Sequence, residues 1–326
     1  KGYGSLVELS DGSVKYDMIG GIGVNYFGHG SEKIIDATLN SAISDCVMQG
    51  NLQQNEESLG VMEKFKEVAN LHGAKLDHVF LTTSGAMAVE NGIKMAFQRK
   101  HPADRILAFA NCFHGRTTGI VSFSSDKDST HHFGPFQPGF IPIPYNDCEA
   151  LRLALADSSV AAFLVEPIQG EAGVIVPDNG YLRQAADLCK KNNVLFIADE
   201  IQTGLERTGK KIACEHEEVK PDILILGKAL SGGLLPISAV LADDDIMLCI
   251  QPGQHGSTFG GNPLACAIAQ TALMVIEEDQ LAANAEQRGQ ELRKGIREIN
   301  NPHIALVRGK GLLNAIVIKH PDPNAA

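Results

Sequence analysis

The chain has 326 residues, 44% hydrophobic and 21% charged, a soluble globular composition with enough length to bury a core without disulfide or metal staples. Lysine plus arginine number 28 against 39 aspartate plus glutamate, and the net charge of −11 disfavours nucleic acid or an anionic membrane surface as partner. No apolar run reaches the length of a membrane span, and Lys1-Gly2-Tyr3-Gly4 does not open a signal peptide. The seven cysteines (46, 112, 148, 189, 214, 249, 266) are scattered without a Cys-x-x-Cys pair, so reduced thiols are expected. The expected location is cytoplasmic, or the mitochondrial matrix in a eukaryote.

Apolar runs of strand length alternate with segments of helical period. Val79–Thr83 reads as a buried strand, followed by an amphipathic helix with Val89, Ile93 and Ala96 on one face. Strands are predicted at Ile106–Ala110, Ala161–Val165, Val194–Ala198 and Ile223–Leu226. A helix is predicted from Gly180 to about Lys191, with Leu182, Ala185 and Cys189 facing inward. Strand and helix in turn imply parallel pairing through crossovers, hence an α/β sheet. Past Gly261 the pattern changes to two helices, Pro263–Glu278 and Leu281–Ile299, the second with Leu281, Ala285, Leu292, Ile296 and Ile299 at helical spacing. Two short strands, Ala305–Val307 and Asn314–Ile318, are joined by Arg308-Gly309-Lys310-Gly311. A change of domain is placed near residue 270. The chain stops as that second domain begins its sheet, which reads as a truncated fragment, and the stretch from His320 to Ala326 is a polar tail.

In open α/β sheets the ligand lies at the carboxyl ends of the strands, so the residues just past each apolar run carry the candidates. Lys228 follows Ile223–Leu226 and is flanked by glycines. Partial desolvation there lowers an amine's pKa and suits a Schiff-base nucleophile, whereas a solvated lysine at a helix start is the plainer reading. Asp199-Glu200 ends the Val194–Ala198 run, where a carboxylate holds a metal, pairs with a protonated pyridine nitrogen, or caps a helix. Ser84-Gly85-Ala86 opens a helix, and helix N-termini bind phosphate. Phe113-His114-Gly115-Arg116 combines an aromatic able to stack on a flat ring with an arginine able to clamp a carboxylate. Gly256-Ser257-Thr258 adds hydroxyls that suit a phosphate. No Walker loop, His-Glu-x-x-His helix, Gly-x-Ser-x-Gly elbow or Gly-x-Gly-x-x-Gly turn is present; His131-His132 reads as ordinary loop and no metal site is expected.

Taken together and in order, these segments resemble the class III pyridoxal-phosphate aminotransferases of fold type I. The resemblance is carried by Phe163–Gly173 (FLVEPIQGEAG), Phe196–Gly204 (FIADEIQTG) and Ile225–Gly233 (ILGKALSGG). His255–Asn262 and Val307–Ala315 resemble the ornithine aminotransferase branch, and Gly85–Asn91 the lysine 6-aminotransferases. The resemblance implies a mostly parallel sheet with helices on both faces, a smaller truncated α+β C-terminal domain, and a homodimer. It divides the chain into an N-terminal segment (1–20) associated with the small domain, a large cofactor-binding domain (21–270) and part of the small domain (271–326). Lys228 matches the Schiff-base lysine and proton carrier, Asp199 the carboxylate paired with the ring nitrogen, and Ile201 the apolar residue on the ring face. Gln202 matches the partner of the ring hydroxyl, Phe113 the stacking aromatic, and Ser84, Gly85 and Ala86 the phosphate loop. Thr258, with Ser257 beside it, matches the residue reaching the phosphate across the dimer interface. Arg116 matches the receiver of a substrate carboxylate.

The implied activity moves the terminal amino group of ornithine, N-acetylornithine or lysine to 2-oxoglutarate. The alternative is a catalytically impaired or non-catalytic subunit of the same fold. Three departures from the ornithine branch stand out: Ile22 in place of a substrate-contacting tyrosine, Leu52-Gln53-Gln54 in place of an aromatic pair, and Met87 in place of glutamate. Glu171 matches a glutamate, placed in the substrate site, whose arginine partner lies beyond residue 326 in the family. It is expected to protonate or to recruit another cation.

Overall fold

The structure, a computed structural model, describes residues 1–44, 55–69 and 76–319. Cys46, the Leu52-Gln53-Gln54 stretch and the tail from His320 lie outside the described residues. Its centre is a seven-stranded sheet. In chain order the strands are β1 (Gly2–Tyr3), β2 (Leu6–Glu8) and β3 (Val14–Tyr16), which form a small N-terminal sheet; β4 (His78–Thr82), β5 (Arg105–Phe109), β6 (Phe140–Ile143), β7 (Val160–Val165), β8 (Leu195–Asp199), β9 (Ile223–Leu226) and β10 (Ser238–Ala242), which form the main sheet; and β11 (Ile304–Lys310) and β12 (Leu313–Ile318), a hairpin. The main sheet runs β4-β10-β9-β8-β7-β5-β6. Its strands are parallel except β10, which pairs antiparallel with both β4 and β9.

Why the strands read as unbroken apolar runs is plain from their two faces. Phe163, Val165, Phe196, Ala198, Leu224 and Leu226 enter one core, while Leu164, Leu195, Ile197, Ile223 and Ile225 enter the other. A sheet covered on both sides has no solvent face to mark with polar residues. On the first face, the Phe109 and Phe163 rings meet edge to face at 4.9 Å. On the second, the helix Gly85–Lys100 crosses β10, β9 and β7. It buries Val89, Ile93 and Ala96 as the periodicity predicts, together with Asn91, Gly92 and Met95.

The predicted main-sheet strands and the helix Tyr181–Lys191 form within a residue or two of their expected ends, with Leu182, Ala185 and Cys189 buried. Two further main-sheet strands were not read from the sequence. β10 (SAVLA) has one strong strand former, Val240, and no alternation to mark a face, and complete burial between two neighbours makes it a strand. β6 contains Pro142 and takes the sheet edge, where a missing N–H is tolerated.

The C-terminal region corrects one expectation. Arg308-Gly309-Lys310 is not a connecting loop: it extends β11 and pairs with Ala315, Asn314 and Leu313, so that Gly311-Leu312 alone makes the turn. Gly311 has φ +53, the left-handed conformation such a two-residue turn requires. The helix Leu281–Glu298 buries Ala285, Gly289 and Arg293 rather than its full apolar line, and Ile299 is 65% exposed. The turn dictates this. The Gly311 carbonyl approaches so closely that a Cβ on Gly289 would sit 1.7 Å from it, and Arg293 Nη1 donates to the same carbonyl at 2.8 Å.

The six described cysteines form no disulfide. Among the described residues no helix is long and apolar enough to cross a membrane. Among them, too, no cluster of His, Cys, Asp or Glu is arranged to hold a metal ion.

Candidate active site

A cavity of about 220 Å³ opens past the carboxyl ends of β4, β5, β7, β8 and β9, several times the ~30 Å³ one water occupies in the liquid. Gly85, Ala86, Phe113, Glu171, Asp199, Ile201, Gln202 and Lys228 line it, together with His114, Glu166 and Thr203.

Each lining residue is placed by the element before it. The Ser84 hydroxyl accepts the Met87 N–H at 3.3 Å and caps the helix, so Gly85 and Ala86 bring first-turn amides, which lack partners within a helix, to the cavity wall. A Cβ on Gly85 would lie 2.8 Å from Ile201 Cδ1, so only glycine admits this approach. Asp199 is the last residue of β8 and is 4% exposed. Its Oδ1 accepts the Ile201 N–H at 3.1 Å and its Oδ2 pairs with His114 Nδ1 at 2.7 Å.

Lys228 follows β9 with φ +45, a left-handed conformation that is strained in a residue with a side chain. Burial lowers its pKa, an effect partly offset by the Glu171, Asp199 and Glu166 carboxylates. Glu171 does recruit another cation: its Oε1 lies 4.0 Å from Lys228 Nζ and accepts the Gln202 Nε2–H at 3.1 Å.

Four predicted residues stand outside the cavity lining. Ser84 acts as the helix cap. Arg116 is exposed, donates to Ser129 Oγ at 2.8 Å, and lies 5.3 Å from the Phe113 ring centroid. Ser257 accepts the Gly260 N–H at 3.0 Å, and Thr258 is exposed beside it. Ile22 is also exposed, with φ +64. Met87 accepts a hydrogen bond from the Thr83 hydroxyl.

Two buried groups of the site were not singled out from the sequence, although both fall in quoted motifs just past strand ends. His114 is one. Glu166 is the other, and it accepts the Phe113 N–H at 3.0 Å and the Gly170 N–H at 3.2 Å. Burial pushes the Glu166 carboxyl up to about 7; His114 opposes this shift and Asp199 adds to it.

The sign of the resulting pH effect follows. Between about 4.5 and about 7 the folded chain keeps a proton that the unfolded chain has released, so stability is lost as pH rises through that window, by at most about 3 kcal/mol. Thermal unfolding at pH 5 and pH 8 should show Glu166→Gln flattening this part of the slope. An unchanged slope would contradict the assignment.

The hairpin reaches the site through Arg308 of β11, whose Nε and Nη2 donate to the Gly173 carbonyl at 3.0 and 2.6 Å. Gly173 lies two residues from Glu171, so Arg308 holds that loop. Arg308→Ala is expected to raise the donor KM by about 3- to 10-fold with kcat little changed, in steady-state kinetics.

The family described as aminotransferase class III matches residues 1–326. The chain belongs to the class III aminotransferases. This aminotransferase is 48% identical to the mitochondrial ornithine aminotransferase of Rattus norvegicus, over 98% of this chain and 73% of that protein. It is 45% identical to ornithine aminotransferase of Bacillus cereus (strain 03BB102), over 98% of this chain and 81% of the other. The solved ornithine aminotransferase of Toxoplasma gondii ME49 superposes with a TM-score of 0.93 at 42% identity, covering 98% and 77% of the two chains. The acetylornithine aminotransferase of Elizabethkingia anophelis superposes at 0.86 with 48% identity, covering 98% and 79%. As a class III aminotransferase, the protein depends on pyridoxal phosphate. The residues present fit that group: helix-start amides for a phosphate, Phe113 and Ile201 for a flat ring, a buried carboxylate, and a primary amine.

Proposed function

We propose that this enzyme moves the terminal amino group of ornithine, or of the related donors N-acetylornithine and lysine, to 2-oxoglutarate. The observation that carries the reading is the cavity in which Lys228, Asp199 and Glu171 converge, in a chain 48% identical to an ornithine aminotransferase. Nothing favours the non-catalytic alternative.

When bound, pyridoxal phosphate supplies an electron sink for the charge left when a proton is removed beside the amino nitrogen. In this reading Gly85 and Ala86, ordered by the Ser84 cap, hold the phosphate. Phe113 and Ile201 would hold the ring, Gln202 its hydroxyl and Asp199 its nitrogen. Lys228 Nζ, shifted by burial towards the free amine, would hold the cofactor and carry the proton. Arg116 receives the donor's α-carboxylate, which leaves the distal amine to react, and Glu171 borders the substrate space beside Lys228.

The division into a large domain (21–270), part of a small domain (271–326) and an N-terminal segment (1–20) belongs to the same proposal. So does the homodimer, in which Thr258, exposed away from this chain's cavity, reaches the partner's phosphate with Ser257 beside it. A cytoplasmic or mitochondrial matrix location completes it.

The test supplies ornithine, N-acetylornithine or lysine singly with 2-oxoglutarate and measures glutamate, while following the visible absorbance of the bound cofactor. Ornithine should give the fastest glutamate formation and a spectral change that 2-oxoglutarate reverses. A preference for another donor would reassign the substrate, and no glutamate from any donor would overturn the function.

A further inference from the structure

We infer that His114 is a positioning residue that fixes the Asp199 carboxylate and supplies its countercharge beneath the cavity. The inference rests on the reading that Asp199 serves the cofactor's ring nitrogen. The His114 side chain is fully buried and that of Asp199 is 4% exposed, and Nδ1 meets Oδ2 at 2.7 Å. The other Asp199 oxygen is held by the Ile201 N–H at 3.1 Å. With one donor on each oxygen the carboxylate cannot rotate, and its remaining lone pairs are presented in a fixed direction.

Charge points to the same pair. Burying a carboxylate is costly unless a cation lies in contact with it. Lys228 is paired with Glu171, so among the described residues the ion-pair partner of Asp199 is His114. The charged groups around the imidazole favour this. Burial alone would suppress its protonation, yet Cys112 and Asp199 together raise its pKa well above the ordinary value, and Glu166 adds a further carboxyl nearby. The Phe123 ring, 6.2 Å away and edge on, fixes the plane of the imidazole. His114 Nε2 is buried without a hydrogen-bond partner, so the ring is anchored through its Asp199 bond and its packing.

The test compares wild type, His114→Phe, His114→Asn and Asp199→Asn as holoenzymes. Phe keeps the ring packing but removes the donor and the charge, whereas Asn restores a donor of similar reach. Two readouts besides activity are used: the dissociation constant of pyridoxal phosphate by equilibrium dialysis, and the low-field proton NMR signal of a hydrogen-bonded imidazole N–H. His114→Phe should weaken cofactor binding by about 10- to 100-fold, and His114→Asn should recover part of that loss. The low-field signal should be present in wild type and absent from His114→Phe and Asp199→Asn. Wild-type cofactor affinity in a folded His114→Phe beside an impaired Asp199→Asn would overturn this inference alone. Wild-type behaviour of Asp199→Asn would overturn the reading beneath it. Should His114→Phe fail to fold, absence of the low-field signal from wild type would still overturn the inference.

Discussion

Lys228→Ala is expected to lower kcat by about 10⁴-fold or more, with the fold retained. The size of the effect follows from the two tasks assigned to one amine, attachment of the cofactor and transfer of the proton. No neighbouring group duplicates it: the other titratable side chains lining the cavity are carboxyls and the imidazole of His114, which is committed to Asp199. Small primary amines added to the Lys228→Ala protein should restore a fraction of the rate, because the space vacated is open to the cavity. Single-turnover kinetics with ornithine would measure both effects, and near-normal turnover in the alanine variant would refute the assignment. The backbone offers a second check. Lys228 sits at φ +45, where a Cβ is strained, so Lys228→Gly should be as inactive as Lys228→Ala but more stable than it by about 1 kcal/mol. Thermal unfolding of the two variants separates the chemical role of the side chain from the strain it imposes.

Asp199→Asn should lower kcat by about 10²- to 10³-fold, weaken cofactor binding and lower the melting temperature, because it leaves the buried His114 without its ion-pair partner. Asparagine matches the size of aspartate and can still accept the Ile201 N–H. What it loses is the charge, and with it the ion pair to His114 and the charge-assisted bond offered to a ring nitrogen. A cofactor analogue whose ring nitrogen carries a permanent positive charge should suffer less from Asp199→Asn than pyridoxal phosphate does. Reconstitution followed by rate measurement with both cofactors tests this, and equal losses would contradict the proposed role of the carboxylate.

The residues that announced themselves in the sequence share a physical circumstance. β8 is an apolar run buried on both faces that ends on Asp199, and β9 is another that is followed by Lys228. A charge at the end of such a run lies at the sheet's rim, and the rim of a parallel sheet is where ligands bind. Glu166, directly after β7, meets the same condition, whereas His114 stands five residues past the end of β5. They escaped notice because each is buried among neighbours distant in sequence: His114 lies 85 residues from Asp199, and Glu166 lies 53 from the Phe113 amide it accepts. The Glu171 contacts were hidden in the same way, since Gln202 and Lys228 arrive on different strand ends.

What the sequence determined by itself is five of the seven main-sheet strands, the parallel pairing of most of them and the types of groups offered at the strand ends. Periodicity and burial act along a few consecutive residues, and they are legible wherever those residues alternate or recur. The tertiary structure alone decided that β10 runs antiparallel between β4 and β9, that the Gly311 turn draws Gly289 and Arg293 into the helix interface, and that Asp199 is held by His114. These outcomes depend on which distant segments meet and at what distance, and sheet order, register and close packing settle that only once the whole chain has folded.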